Sequence, residues 1–169
     1  PPLDPRVVSL GNLMRDQLDR MGELDRVAAR WRDLIARLPA TTTLVVNADD
    51  PRVCQLASGR HGVVRFGLAD ADRERPDEGA DIGDCARCGG QLAYAGAHIG
   101  HLGHWRCAGC GDRRPEPDLE VSDVVPRGLV GSEFSLTVRR PGVAAVTRRV
   151  STRVPGRFNV ANAAAAAAV

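Results

Sequence analysis

Short β-branched runs alternate with amphipathic or polar stretches through the first part of the chain. Val7 to Leu10 (VVSL) ends at Gly11-Asn12, which predicts a strand emptying into a loop. From Leu24 the apolar residues fall at Val27, Ala28, Trp31, Leu34, Ile35 and Leu38, the spacing of one helical face, and Pro39 stops the run. Thr42 to Val46 (TTLVV) predicts a buried strand ending at Asn47-Ala48-Asp49-Asp50-Pro51. Pro51 suits a first helical turn, so Asp50 is expected to cap a short helix running through Val53, Leu56 and Ala57. Gly62 to Gly67 (GVVRFG) predicts a third strand. Strand, helix, strand, helix, strand at this spacing implies an α/β fold with right-handed crossovers and a parallel sheet. Ligands of such sheets bind beyond the carboxyl ends of the strands, where Asn12 and Asn47 to Asp50 fall.

At Ala69 the pattern breaks. ADADRERPDEGAD is charged and poor in apolar residues, which predicts a solvated connector into an insertion. A cysteine-containing module runs from about Asp84 to Pro117. EFSLTVRR and VAAVTRRVSTRV then predict two antiparallel strands around Pro141-Gly142, and Pro155 to Asn159 opens a final helix, NVANAAAAAAV. The expected division is residues 1–68 as one part of an α/β domain, 69–118 as connector and insertion, and 119–169 as the return of that domain through a hairpin and the last helix.

The insertion carries the clearest chemistry. Cys85-Ala-Arg-Cys88-Gly and Cys107-Ala-Gly-Cys110-Gly are two CxxCG turns separated by about one β-hairpin. In such a knuckle two sulfurs point at one ion, and the glycine lets the backbone fold back toward the thiolates. Two knuckles make a closed tetrahedral shell with no position left for water, so the pattern predicts one structural zinc ion held by Cys85, Cys88, Cys107 and Cys110. An iron–sulfur centre is the competing use of four thiolates. His98, His101 and His104 lie between the knuckles and are surplus to a filled shell, so they are expected to be solvated hairpin residues. Cys54, on the short helix, is expected to be a buried, inert thiol.

Charge changes the picture little. The formal +2 becomes about zero once four thiolates and a divalent ion are counted, so nothing in the balance argues for nucleic acid. Every basic residue is Arg, which excludes a P-loop, Schiff-base or carbamoylated lysine within this sequence. The start lacks a basic region followed by a long apolar run, and Ala163 to Val169 is far shorter than the ~20 residues of a membrane span. A cytoplasmic protein without a transmembrane segment is expected, and an odd count of five cysteines fits a reducing compartment.

Three pieces together, NLMRDQLDR, LVVNADDP and PGRFNVANAAAAAA, resemble the central ATP-binding domain of the Mur ligases, which build the peptidoglycan stem. The cysteine insertion, with CARCGGQLAY and HLGHWRCAGCGDRRP, narrows the likeness to the MurT branch, the synthetase subunits of lipid II isoglutaminyl synthase. That resemblance implies ATP- and Mg²⁺-dependent amidation of the α-carboxyl of D-glutamate in lipid II, with ammonia from a GatD-type glutaminase subunit bound as partner. It also implies that a P-loop upstream and a C-terminal domain with the catalytic acid downstream belong to the whole enzyme, so the chain is expected to be a fragment without catalytic residues of its own. Gln17 stands where many Mur ligases carry a metal-binding histidine, and Trp31 falls near their carbamoylated lysine, so a copied Mg²⁺ role does not transfer to this stretch.

The resemblance points Asn159 and Asn162 at the adenine, with an N-cap as the alternative for Asn159. It points Asn47, Asp49 and Asp50 at nucleotide or substrate, with helix capping as the alternative for Asp50, and Asn12, Arg15 and Asp16 at phosphate or muropeptide, with a solvated loop as the alternative. A different function class also stays open. Arg113-Arg114, Arg139-Arg140 and Arg148-Arg149 are what a zinc-ribbon nucleic-acid-binding module would display, although stacking aromatics are scarce.

Overall fold

A computed structural model of the chain describes residues 4–14, 23–71 and 84–169. Strands β1 (Val7–Leu10), β2 (Thr43–Asn47) and β3 (Val63–Leu68) alternate with helices α1 (Glu23–Arg37) and α2 (Pro51–Leu56), as the spacing predicts. A hairpin, β4 (Leu92–Ala97) and β5 (Gly103–Cys107), follows. The chain then returns through β6 (Leu119–Pro126), β7 (Ser132–Arg140), β8 (Val143–Thr152) and α3 (Arg157–Ala167). The main sheet has the order β1-β2-β3-β6-β7-β8. Its first four strands run parallel and its last two antiparallel, while β4 and β5 form a separate two-stranded ribbon.

Strand alternation sends successive side chains to opposite faces. Leu44 and Val46 of β2 join Leu10, Ala28, Ile35, Val53 and Leu56 on the α1 and α2 face, whereas Val45 joins Phe66, Leu68, Val121, Phe134 and Val160 beneath α3. A helix on each face is what lets a parallel sheet bury both sides. Trp31 packs against the α1 cluster as its apolar position implies, but Leu34 stands 60% exposed and is not part of that face.

Strand β6 has no counterpart among the sequence expectations. A bulge between Ser122 and Val125, with Asp123 at a φ of 52°, interrupts its alternation, and Pro126 ends it. It is nevertheless the element that joins the parallel and antiparallel halves, pairing with β3 through Phe66 and Leu119 and with β7 along most of its length.

Candidate functional site

The ribbon lies against the carboxyl ends of β2 and β3, through bonds that the main chain of those ends cannot make within the sheet. Trp105 Nε1–H donates to the carbonyl of Ala48 at 3.0 Å, and Gly103 N–H donates to the carbonyl of Asp49 at 2.9 Å. Arg114, just past the second knuckle, places Nε 2.7 Å from Asp49 Oδ1 and donates through Nη2 to the Leu68 carbonyl at 3.0 Å. The other Asp49 oxygen accepts from Leu68 N–H at 2.9 Å. This pair crosses β3 directly above Gly67, where a Cβ would come within 2.7 Å of the guanidinium and 2.8 Å of the carboxylate. Gly67 is therefore fixed by a close approach.

Asp50 caps α2, its Oδ1 accepting from Arg52 and Val53 N–H, while Oδ2 accepts from Leu13 N–H at 2.7 Å. The capping role expected of it is present, and the same side chain ties the loop after β1 to the end of β2. Asn47 donates to Asn12 Oδ1 at 2.5 Å and accepts from Asp49 N–H at 2.9 Å. Asn12, Asn47 and Asp50 are thus brought together at one sheet end, with Asn47 and Asp50 wholly buried. Arg15, Asp16 and Gln17 lie outside the described residues.

The histidines overturn a sequence expectation. His98 and His101 are 3% and 2% exposed, because the hairpin folds its tip onto the sheet end instead of projecting it into water. His101 Nε2 lies 3.5 Å from Asp50 Oδ2, and His98 Nε2 lies 3.9 Å from Asp49 Oδ2. The His104 ring nitrogen sits 3.2 Å from the Leu68 carbonyl. Burial lowers the pKa of His98, the nearby Asp49 opposing this and the neighbouring His104 and arginines reinforcing it. No helical or strand period carries this information, since solvated and docked hairpins read alike.

The four cysteine sulfurs gather at the other end of the ribbon, all within 4.8 Å of one another, and they can hold a metal ion. Cys85 and Cys107 are buried, Cys88 and Cys110 exposed. Sulfurs this close cannot all ionise unaided. The backbone N–H of Cys110 donates to Cys107 and holds that thiol down at about 7. The Gly90 N–H favours the Cys88 thiolate, but the sulfurs of Cys107 and Cys110 oppose it and push Cys88 up to about 12. A cation in their midst removes the conflict. Cys54 is half-buried, with its thiol 3.3 Å from the Asn47 carbonyl and its pKa raised chiefly by burial, which keeps it a thiol.

Helix α3 begins at the same sheet end, where Arg157 donates to the carbonyl of Asp70 at 3.0 Å. Its N-cap is Gly156 at a φ of 100°, so Asn159 is not a cap but a residue of the first turn, donating to the Pro155 carbonyl at 2.6 Å. Asn162 is exposed in the middle of α3, and its side chain makes no hydrogen bond to the described residues.

Residues 2–82 match the family described as the Mur ligase middle domain. MurF from Acinetobacter baumannii superposes with a TM-score of 0.56 over 98% of this chain and 25% of its own, at 13% identity. The fold is that of a Mur ligase middle domain. Curated relatives from Staphylococcus aureus and Streptococcus pneumoniae carry the name lipid II isoglutaminyl synthase (glutamine-hydrolyzing) subunit MurT. The one from Staphylococcus aureus strain COL is 32% identical over 72% of this chain and 28% of its own length. The one from Streptococcus pneumoniae R6 is 28% identical over 99% of this chain and 35% of its own. The chain spans roughly a third of the length of those relatives. No helix among its described residues is long and apolar enough to cross a membrane.

Proposed function

We propose that this domain is part of the ATP-dependent synthetase subunit that amidates the α-carboxyl of D-glutamate in the lipid II stem peptide, giving D-isoglutamine for peptidoglycan synthesis. The likeness to the pneumococcal MurT subunit carries the reading, because it extends over 99% of the chain and so takes in the ribbon as well as the sheet. In this reading ATP activates the carboxyl, ammonia arrives from a GatD-type glutaminase partner, and the reaction runs in the cytoplasm on lipid II at the membrane surface.

Asn159 and Asn162 are assigned to the adenine, since an amide offers the donor and acceptor that a purine edge presents. The exposure of Asn162 on a helix otherwise rich in alanine supports its part. Asn47 and Asp50, being buried, serve the nucleotide by shaping the sheet end, and Asn12, Arg15 and Asp16 are assigned to phosphate or muropeptide. Mg²⁺ accompanies ATP. Cys85, Cys88, Cys107 and Cys110 hold zinc, for which four soft thiolates are a fitting donor set; a filled shell gives it a structural task.

The nucleic-acid reading has less support, because one arginine of each pair it needs is engaged by an acidic partner. Arg114 faces Asp49, Arg139 faces Glu116 and Glu120, and Arg149 faces Glu133. The deciding experiment supplies the longer protein carrying this domain, with its glutaminase, with lipid II, glutamine and ATP. Mass spectrometry should find one stem-peptide hydroxyl replaced by an amino group only when ATP is present. Unchanged lipid II in a preparation that binds ATP would refute the proposal.

A further inference from the structure

We infer that Gln55 fixes the metal centre to the sheet domain and sets how tightly the ion is held, a role that rests on the reading of the four cysteines as a zinc site. Gln55 belongs to α2, outside the ribbon, yet its side chain reaches a ligand sulfur. Nε2 lies 3.3 Å from Cys85 Sγ and 3.3 Å from Asp112 Oδ2, so its two N–H groups serve two acceptors. Oε1 accepts from the backbone N–H of Ala86 at 2.9 Å, within the first knuckle. The orientation of the amide is determined by chemistry, because reversing it would set an oxygen against a thiolate and a carboxylate and a donor against a donor.

An N–H aimed at a thiolate stabilises its charge and holds the sulfur in position for the ion. Outer-shell partners of this kind are generally worth 10- to 100-fold in metal affinity. Here the partner also has a structural address. Helix α2 is capped by Asp50, which faces His101 of the ribbon tip, and carries Gln55 in its last turn. One short helix thus grips the ribbon at both ends, once by the hairpin tip and once by the metal knuckle.

The test is zinc release to a chromogenic chelator from the purified protein, compared with Gln55→Glu, Gln55→Ala and the nearby exposed control Ser58→Ala. Gln55→Glu keeps the shape and the acceptor for Ala86 N–H but sets a negative charge beside the Cys85 sulfur and Asp112. Both Gln55 variants should release zinc at least ~10-fold faster than the wild type, with Ser58→Ala unchanged. Their cobalt-substituted forms should show a shifted sulfur-to-cobalt charge-transfer band, which reports the ligand sulfurs whatever the activity. A wild-type protein without zinc would overturn the metal reading itself. A wild type holding one ion, with both variants releasing it at the wild-type rate, would overturn the role of Gln55 alone.

Discussion

Asp49→Asn probes whether the ribbon is a structural part of the sheet end. The substitution preserves shape and removes the charge facing Arg114 Nε at 2.7 Å. The two side chains are 2% and 13% exposed, so water replaces little of what is lost; Arg114 keeps the Leu68 carbonyl at 3.0 Å, but the amide offers one acceptor where Arg114 Nε and the Leu68 N–H need two. Removing one partner of a buried pair costs ~3–5 kcal/mol. The remaining carbonyl and the small opening to solvent favour the lower end, about 3 kcal/mol. Set against a total stability of ~5–15 kcal/mol, that loss is large. With a urea slope of ~2 kcal/mol per molar, the midpoint should fall by roughly 1.5 M. The emission of Trp105, in a Trp31→Phe background, reports undocking of the ribbon, while far-ultraviolet circular dichroism follows the whole fold. Arg114→Met supplies the second arm of a double-mutant cycle, in which the combined loss should fall short of the sum by ~1–3 kcal/mol. A midpoint within ~0.3 M of wild type, or strict additivity, would show that the pair carries no such energy.

The remaining outcomes concern metal, protons and nucleotide. Metal analysis should give about one zinc per chain, and Cys88→Ser should abolish it and shift Trp105 emission to longer wavelength while much of the helical signal persists, since the knuckles depend on the ion and the sheet does not. Iron in place of zinc would favour the competing centre. Because burial lowers the pKa of His98, its contribution to stability is complete above the unfolded value of ~6.5 and is lost as pH falls through the lower folded value. Urea midpoints of wild type should therefore drop more steeply below pH ~6.5 than those of His98→Gln, and parallel curves would contradict this. In the assembled enzyme Asn162→Ala should raise the Michaelis constant for ATP by ~10-fold or more with little loss of turnover, as removal of a uniform adenine contact predicts; initial rates against ATP concentration decide it.

What could be read in the sequence follows what chemistry is local. The knuckle cysteines, the Asp50 cap and the turn at Pro141-Gly142 each need only neighbouring residues, and all appear where the spacing puts them. The three parallel strands likewise announce themselves by β-branched runs between helices. What escaped depends on contacts distant in sequence. Leu34 fits the helical period but stands exposed, outside the cluster that α1 joins. His98 and His101 are polar residues in a glycine-rich hairpin, and only the docking of that hairpin on Asp49 and Asp50 removes them from water. Asn159 has a capping residue's chemistry, but Gly156 takes the cap three positions earlier by adopting a φ that favours glycine.

The point at which the ribbon interrupts the sheet also bears on how the chain folds. Strands β3 and β6 are neighbours although their facing residues are separated by 53 positions, as in the bond from Arg65 N–H to Asp118. An ion that clasps Cys85 to Cys110, 25 positions apart, takes roughly half of that separation out of the search. Halving a loop relieves only ~0.6 kcal/mol of closure entropy, about a threefold gain in the rate of bringing the two strands together. Metal delivered early is thus a modest accelerator of folding. Metal delivered late still finds most of its reward, because the larger contribution lies in the docked contacts of Asp49, Trp105 and Arg114, which can form only after β2 and β3 are in place. The order of loading and folding is therefore free to follow the supply of the ion.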